Sequence, residues 1–425
     1  MQEIKEQPTT ASEATDGLVA AALRAEAWAG EPFLREGEDP AQALAPGTSR
    51  RRALDDALTE IESGAHTPSP AWKVRYGLML GLERVLAEPR PHLASGTELR
   101  RHQVDALAGM LTELIASHEK DAAPNGNGNG AATEAVQEED EPEPEEESAE
   151  DVLDEEDEEE TGFTGPDPGA VRRYRFRHPT ASGKTIAAAG FVEAARTLGV
   201  LILTHRRLLV SQFERDLTTE RYGDRFSPAI ERGKEPLRGG NPLTIQTYAW
   251  FARHQDTVSR EAYQLVICDE AHTALGEKTS SAIRSFPEPI YIGMTATEQL
   301  IAKQVSDVFP ASVDDLPLQD AARRGLIAPL RCLRVPPVAA INQVPIVGGD
   351  FDQEILAKTL DHQALNQAAA SLYRDRFDNT PGIVYAAGVD HAYNLAQEFR
   401  AVGLKAEAVS GRTPPVRLAE TLAAY

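Results

Sequence analysis

The eight residues from His178 to Thr185, His-Pro-Thr-Ala-Ser-Gly-Lys-Thr, constrain the fold of this chain more than any other stretch. Small residues lead into Gly-Lys-Thr, and a helix-forming run follows from Ile186 to Arg196. Such a loop at a helix N-terminus directs backbone N–H groups into a hollow that holds a triphosphate. The pattern GxxxxGK(S/T) has glycine where His178 stands, and a chance Gly-Lys-Thr in a turn is the alternative. The residues expected to contact the nucleotide are Thr180, Ala181, Ser182, Gly183, Lys184 and Thr185.

Alternating strand and helix patterns extend from Val171 onward, which is typical of a parallel α/β sheet. The predicted strands are Tyr174–Arg177, Val200–Thr204, Leu243–Gln246, Leu265–Cys268 and Tyr291–Met294. The first of them lies in the run Arg-Tyr-Arg-Phe-Arg, whereas a central strand of a parallel sheet is normally apolar throughout. We therefore expect this strand in an unusually solvated position of the sheet.

Two carboxylates, Asp269 and Glu270, follow the apolar strand Leu265–Cys268. Open α/β sheets bind their ligands at the carboxyl ends of the strands. At that edge Asp269 can hold Mg²⁺ and Glu270 can polarise an attacking water, which is the geometry that a metal–nucleotide site requires. Lys184 would reach the β- and γ-phosphates, and the hydroxyl of Thr185 would also ligate Mg²⁺. An acidic pair at a solvated strand end is the alternative.

Composition bounds the class of protein. At 425 residues, with 41% hydrophobic and 26% charged residues, the chain should hold two to three globular domains. No run approaches the roughly 18 apolar residues of a membrane span, and residues 1–17 contain no apolar signal-peptide core. Two cysteines are too few for a disulfide framework or a zinc cluster, so we expect a cytoplasmic location.

The net charge of −24 is concentrated in one acidic run from Glu138 to Glu160, and the rest of the chain carries only about −7. The overall charge therefore does not argue against a nucleic-acid partner. Together with Asn-Gly repeats and flanking glycines, this run cannot bury enough apolar area to offset the entropy of ordering. We expect a disordered acidic insertion over residues 119–169. It is either a solubilising linker or a tethered polyanion that competes with nucleic acid for a basic cleft.

Helical patterns occupy the region before the insertion. Residues 1–95 are expected to form an N-terminal helical accessory region with helices at Gly17–Trp28, Ser49–Glu62 and Ala71–Ala87, and we find no chemistry there. A further helix, Leu99–Ser117, lies in the segment 96–118. It carries Gln103, whose amide can pair with both N6–H and N7 of adenine. A polar residue on a surface helix is the alternative.

Together these blocks resemble the DEAD/DEAH-box helicases of superfamily two, and within them the type III restriction motors and excision-repair-like helicases. The residues 269–272, Asp-Glu-Ala-His, resemble the box that names the family. Leu99–Gln103 resembles the adenine-reading glutamine motif, and Gly293–Thr297 is similar to the block that links nucleotide and strand binding. The resemblance runs from about residue 97 to the end, apart from the insertion. It implies a P-loop RecA-like parallel sheet with flanking helices, and ATP and Mg²⁺ as cofactors.

The same resemblance implies roles for residues outside the nucleotide site. Nucleic acid, with DNA favoured over RNA, would be contacted by residues at the carboxyl ends of the second and third predicted strands, namely His205, Arg206, Arg207, Gln246 and Thr247. At a strand's carboxyl end these side chains offer donors to a phosphate backbone, although arginines there are also compatible with a solvated face. The nucleotide and the nucleic acid would be coupled through His272, Thr295 and Thr297.

The resemblance divides the remainder of the chain. We expect a first RecA-like ATP-binding lobe at 170–318, an interlobe connection at 319–335 and an incomplete second RecA-like lobe at 336–425. The second lobe should contain strands at Gly382–Ala386 and Lys405–Val409, and helices at His391–Val402 and Pro414–Tyr425.

The second lobe departs from the family's pattern. The Gly-Asp-type and Gln-x-x-Gly-Arg-x-x-Arg blocks of the family have no counterpart after Asp390. An arginine finger is worth about 10³–10⁵ in rate. We therefore expect the chain to bind ATP but to hydrolyse it poorly unless a partner or a missing C-terminal segment completes the lobe. A fragment of a longer protein is favoured over a truncated regulator or a split enzyme.

The resemblance thus implies an ATP-dependent nucleic-acid helicase or translocase, a hydrolase with Lys184, Asp269 and Glu270 as its catalytic residues and no membrane partner. The alternative is a non-catalytic ATP- or nucleic-acid-binding module. A restriction-motor subunit would need a nuclease domain, which this chain does not contain.

Overall fold

The computed structural model describes residues 11–122, 167–234, 240–296, 302–329, 341–347, 350–377 and 380–425. These residues fall into two compact units, the first with described residues 11–122 and 167–329 and the second with those from 341 onward. Most of the expected acidic insertion and the end of the expected interlobe connection lie outside the described residues. Among the described helices, none is both long and apolar enough to cross a membrane.

Six strands form one all-parallel sheet in the first unit, which confirms the predicted fold class for this unit. They are β1 Arg173–Arg177, β2 Val200–Thr204, β3 Leu243–Thr247, β4 Leu265–Cys268, β5 Ile290–Thr295 and β6 Ala311–Asp315. The order across the sheet is β3-β2-β4-β5-β1-β6. All five predicted strands are confirmed to within a residue at each end, and β6 was not predicted. From β1 the chain crosses β5 and β4 to reach β2, whereas from β5 it crosses β1 in the opposite direction to reach β6. Such a reversal of direction opens a crevice at the carboxyl edge of the sheet.

Some helices cover the two faces of the sheet, and the other helices pack on them. Before the sheet, the helices are α1 Ala11–Ala29, α2 Pro40–Ala43, α3 Ser49–Glu62, α4 Pro70–Trp72, a π-helical stretch Lys73–Gly77, α5 Leu78–Leu86 and α6 Arg101–Ala122. Within the sheet region they are α7 Lys184–Ala194, α8 Arg207–Thr219, α9 Tyr248–His254, α10 Glu277–Ser285, α11 Ala302–Val308 and α12 Leu318–Arg323. The helices predicted at Ser49–Glu62 and near Ala71–Ala87 are confirmed.

The N-terminal helices share one hydrophobic core with the sheet. Gly81 of α5 approaches α7 so closely that a Cβ there would lie 1.8 Å from the carbonyl oxygen of Ala194. Beside this contact the carboxylate of Glu31, only 1% exposed, accepts hydrogen bonds of 2.9 Å from both Arg84 Nε and Arg196 Nε. Residues 11–95 are therefore packed on the helix that follows the phosphate loop.

The strand β1 is not solvated, so the expectation for it was wrong. Arg173 is fully buried and donates from Nε to the carbonyl oxygen of Val308 at 2.7 Å. Arg175 donates to carbonyl groups that follow the same helix α11. Arg177 forms two bonds to the carboxylate of Asp315 on the edge strand β6, at 2.7 and 2.8 Å. Backbone carbonyls and a carboxylate thus bind these guanidinium groups, which explains how arginines alternate along a strand that is mostly buried.

Arg225 closes the C-terminal end of α7. Its guanidinium donates hydrogen bonds to the carbonyl oxygens of Val192, Ala195, Leu198 and Asn241 at 2.8 to 3.3 Å. The last carbonyls of a helix lack intrahelical partners, and a cation also interacts favourably with the negative end of the helix dipole. Burial lowers the pKa of Arg225 to about 10, so the group remains charged at neutral pH.

We expect Arg225→Met to lower the free energy of unfolding by about 3 kcal/mol, because methionine keeps the aliphatic stem but leaves several buried carbonyls unsatisfied. Urea denaturation followed by circular dichroism measures this change. The matched control is Arg215→Ala on the exposed side of α8, which should change the same quantity by less than about 0.5 kcal/mol. A loss below about 1 kcal/mol in Arg225→Met would contradict the capping role.

In the second unit, the described residues form helices and one pair of short antiparallel strands. The helices are α13 Gln353–Leu360, α14 Gln363–Phe377, α15 Val389–Ala401 and α16 Pro415–Ala424, and the antiparallel strands are β7 Ile346–Val347 and β8 Asp350–Phe351. Its small core includes Ala370, Leu395 and Phe399. The helices predicted at His391–Val402 and Pro414–Tyr425 are confirmed as α15 and α16.

The two strands predicted in the second unit are wrong. Gly382–Ala386 and Lys405–Val409 lie outside every strand of the described residues. Ile383 is 67% and Tyr385 is 92% exposed. An apolar run of this length becomes a strand only when neighbouring strands pair with its backbone, and the described part of this unit offers no such pairing. The second RecA-like lobe at 336–425 stays a prediction.

Candidate active site

The loop after β1 has the backbone conformation of a tight turn into a helix. Gly183 has φ +90° and is the N-cap of α7, which begins at Lys184, two residues before the predicted helix start. Ala181 also has a left-handed backbone, with φ +65°. Thr180 and Ala181 are exposed, whereas Ser182 is fully buried. The predicted strand–loop–helix order is confirmed, and the left-handed turn at Gly183 favours glycine because that residue lacks a Cβ.

Two neighbouring residues of α6 hold this loop from behind. His102 Nε2 lies 2.8 Å from the carbonyl oxygen of Ser182, and Gln103 Nε2 donates to the carbonyl oxygen of Gly183 at 3.1 Å. Both side chains are 2% exposed. Gln103 Oε1 also accepts from the backbone N–H of Arg100 at 2.8 Å. The sequence pattern placed Gln103 at the nucleotide site but did not single out His102. Adenine recognition by Gln103 stays a prediction.

His178 occupies the position where the phosphate-loop pattern has glycine. Its ring is fully buried, and Nε2 lies 2.7 Å from Oδ2 of Asp314 on β6. The ring packs against Phe176 and His102, with centroid distances of 4.8 and 5.3 Å. Its backbone N–H donates to the carbonyl oxygen of Thr295 at 3.0 Å, which ties the loop to β5. No sequence signal identified Asp314, because β6 itself was not predicted.

The loop lysine and the carboxylates after β4 lie next to each other. Lys184 Nζ is 3.0 Å from Glu270 Oε1, and the two side chains are 10% and 24% exposed. Glu270 has the unusual backbone angles φ 44° and ψ 59°, which turn the chain sharply after the strand. Residues with left-handed backbone outside glycine are concentrated at functional sites, so this turn supports a functional role for the acidic pair.

Asp269 is the more buried of the two carboxylates, at 9% exposure. Burial and the neighbouring charge of Glu270 raise the pKa of Asp269 to about 6, and the charge of Lys184 opposes this shift. The hydroxyl of Tyr248 donates to the backbone carbonyl oxygen of Asp269 at 2.8 Å and fixes the end of the strand. Ionising this partly desolvated carboxyl costs free energy, and a bound cation would offset that cost. Asp269 is therefore well suited to bind a cation.

The donor set fits Mg²⁺ together with a nucleotide better than Mg²⁺ alone. Among the described residues, no group of three or more His, Cys, Asp or Glu could enclose a metal ion. Magnesium typically uses one or two carboxylates together with substrate phosphates and waters. Asp269 and Thr185, the latter half-buried in the first turn of α7, are residues of that kind.

The residues expected to couple the two sites lie at the end of β5. His272 Nδ1 is 3.4 Å from Thr295 Oγ1 and 3.6 Å from Glu270 Oε2. Thr295 is 5% exposed and pairs in register with Arg177, the residue before the phosphate loop. The side chain of His272 therefore lies between the acidic pair and the end of β5. Thr297 lies outside the described residues.

The residues expected to contact nucleic acid lie at the same carboxyl edge, beyond β4. The ends of β2 and β3 are in register, with Thr204 opposite Thr247. Arg206 and Arg207 are exposed, and His205 and Gln246 are half-buried. The hydroxyl of Thr247 accepts from the N–H of Trp250 at 3.1 Å as the N-cap of α9. The structure brings these residues together, and their contact with nucleic acid stays a prediction.

One protein family and two solved helicase structures are similar to parts of this chain. Residues 97–300 match the family described as Type III restriction enzyme, res subunit. The UvsW helicase from Bacteriophage T4 is similar over 34% of this chain and 54% of its own, with 17% identity and a TM-score of 0.26. The Hef helicase domain from Pyrococcus furiosus is similar over 56% of this chain and 52% of its own, with 17% identity and a TM-score of 0.30. The chain thus spans about half the length of these two helicase structures. No curated protein is significantly similar to it.

Proposed function

From the premise that residues 97–300 are a superfamily-two helicase domain, we propose that this chain is an ATP-dependent motor on nucleic acid. It would bind Mg·ATP at the carboxyl edge of the sheet and couple hydrolysis to movement along a strand. DNA is favoured over RNA by the resemblance.

The observation that carries this proposal is the 3.0 Å contact between Lys184 and Glu270. These residues come from loops after two strands that are not neighbours, since β5 lies between β1 and β4. Their meeting combines a phosphate-binding cation and a potential general base in one crevice. A solvated acidic pair, the alternative interpretation, would not require a partly buried lysine as its partner.

The roles of the side chains follow from this arrangement. When a triphosphate enters, the lysine would leave the carboxylate and donate to the β- and γ-phosphates. Glu270, released from the ion pair, would accept a proton from the attacking water. Charge neutralisation at the phosphates is the chemistry that Mg²⁺ supplies when Thr185 and Asp269 hold it. His272, within 3.6 Å of both Glu270 and Thr295, would pass the change of charge to the end of β5.

The nucleic-acid part of the proposal is supported by two exposed arginines beside the crevice. Arg206 and Arg207 come directly after β2, where their guanidinium groups can reach a phosphate backbone. Binding of this kind releases counterions, so its salt dependence reports the number of phosphate contacts.

The test is ATP turnover by the chain with and without single-stranded DNA or RNA, combined with strand affinity at several salt concentrations. We expect Mg·ATP binding, slow turnover that DNA stimulates, and weaker DNA binding in the double variant Arg206→Ala, Arg207→Ala. The turnover is slow because the expected second lobe lacks a counterpart of the family's arginine-bearing block. The slope of log K against the logarithm of the salt concentration should become less steep by about 0.7 for each arginine removed. Arg215→Ala on the same helix is the control. Nucleotide binding without any strand-dependent turnover would instead favour a non-catalytic module.

A further inference from the structure

We propose that His102 is a positioning residue of the phosphate loop, which directs a backbone N–H group toward the nucleotide by holding the carbonyl group of Ser182. The inference rests on the proposed function, because it concerns how the same site binds phosphate.

His102 acts on the peptide unit between Ser182 and Gly183. A trans peptide is planar, so its carbonyl oxygen and its N–H point in opposite directions. His102 lies 2.8 Å from that oxygen and fixes it toward α6. The N–H of Gly183 therefore points away from α6, on the opposite side of the loop. Gln103 donates to the next carbonyl oxygen, that of Gly183, which the helix already orients through the N–H groups of Ile186 and Ala187 at 3.1 Å.

These N–H groups are the ones that a phosphate requires. The first N–H groups of a helix have no intrahelical acceptor, and at the N-terminus of α7 they carry the positive end of the helix dipole. Gly183 is the N-cap of that helix and has a left-handed backbone, a conformation that glycine adopts without the steric cost of a Cβ. The peptide unit before the helix has His102 as its contact, and the unit after it has both Gln103 and the helix's own N–H groups.

The protonation state of His102 agrees with this role. The carbonyl oxygen of Ser182 can only accept, so Nε2 carries the hydrogen. Burial lowers the pKa of His102, although the bond to Ser182 opposes this effect. Nδ1 is buried and has no hydrogen-bond partner among the described residues, which also favours the neutral ring. The ring is packed against His178, which Asp314 holds in turn.

The decisive comparison is between two variants of His102. Leucine keeps apolar bulk without a donor, whereas glutamine places its amide nitrogen near the position of Nε2. We expect His102→Leu to weaken Mg·ATP and Mg·ADP binding about tenfold, and His102→Gln to restore it to within about threefold. Titration of the whole chain with a fluorescent ADP analogue, and competition by ATP, measures both.

The matched control is His118→Leu. His118 is also buried in α6, but it lies about 24 Å further along the helix and packs on Tyr76. The His118→Leu variant should have a lower melting temperature than wild type and an unchanged nucleotide affinity. If His102→Leu fails to fold, His102→Asn replaces it, because the shorter amide does not reach Ser182 and should bind as weakly as expected for leucine.

Three outcomes are decisive against the proposal. Equal Mg·ATP affinity in wild type and His102→Leu would overturn it and leave the proposed function intact. Equal losses in the leucine and glutamine variants would show that shape, not donation, matters. A wild-type chain that binds no Mg·ATP would instead overturn the proposed function, and this inference with it.

Discussion

Replacing Lys184 with alanine is expected to weaken Mg·ATP binding by at least about 100-fold. The lysine lies in the first turn of α7 and would donate to two phosphate groups. Hydrogen bonds to charged groups contribute about 1.5–3 kcal/mol each, so the loss of two such bonds corresponds to a change of this size. Isothermal titration of the chain with ATP in excess Mg²⁺ measures the affinity directly.

The matched control for this variant is Lys278→Ala, which removes an exposed lysine from α10 and should leave ATP affinity unchanged. Circular dichroism would establish that Lys184→Ala is folded, since the same change also removes the partner of Glu270. Wild-type affinity in a folded Lys184→Ala variant would show that the Gly-Lys-Thr turn does not bind the triphosphate.

Replacing Glu270 with glutamine is expected to lower ATP turnover by about 10²–10⁴-fold while ATP binding is retained. Glutamine has the same shape but cannot accept the proton of the attacking water, and general-base catalysis contributes a factor of this order. In the unliganded protein Glu270 is the ionic partner of Lys184, 3.0 Å away. Removing its charge frees the lysine for phosphate, so ATP should bind at least as tightly as to wild type. Steady-state turnover and nucleotide titration separate the two effects.

The control for this second variant is Glu277→Gln, at the exposed start of α10, which should alter neither quantity. A Glu270→Gln variant with both turnover and affinity unchanged would remove Glu270 from the chemistry. Loss of affinity together with turnover would instead make Glu270 a structural support of the loop.

The sequence was sufficient for those elements whose own residues specify them. The strands β2 and β4 are apolar runs, apart from Thr204 at the end of β2, and burial of such a run in a parallel sheet is the outcome that its composition favours. The strand β6, Ala-Ser-Val-Asp-Asp, is half-exposed and was missed, because an edge strand needs only one partner and little apolar surface. The opposite error occurred at Gly382–Ala386, where an apolar run has no paired neighbour in the described unit.

The site was predictable to a similar extent. The Gly-Lys-Thr turn and the Asp-Glu pair each have a local pattern, and the structure brings them within 3.0 Å. No local sequence pattern marks the contacts that support the loop from behind. His102 and Asp314 are 80 and 136 residues away from the loop residues that they contact.

The residues alone specify the kind of chemistry at the crevice, namely a phosphate-binding turn and two carboxylates at a strand end. They do so because small residues, lysine and acids at those spacings act through local geometry. How the crevice is assembled depends on the packing of distant elements. The strand order brings the ends of β1 and β4 to one edge, and α6 lies behind the loop. The packing also decided that Arg173 is buried and that Arg175 and Arg177 are half-buried, because the carbonyls at the end of α11 and the carboxylate of Asp315 come from distant parts of the chain. Such contacts depend on how elements pack, and no spacing within one segment encodes them.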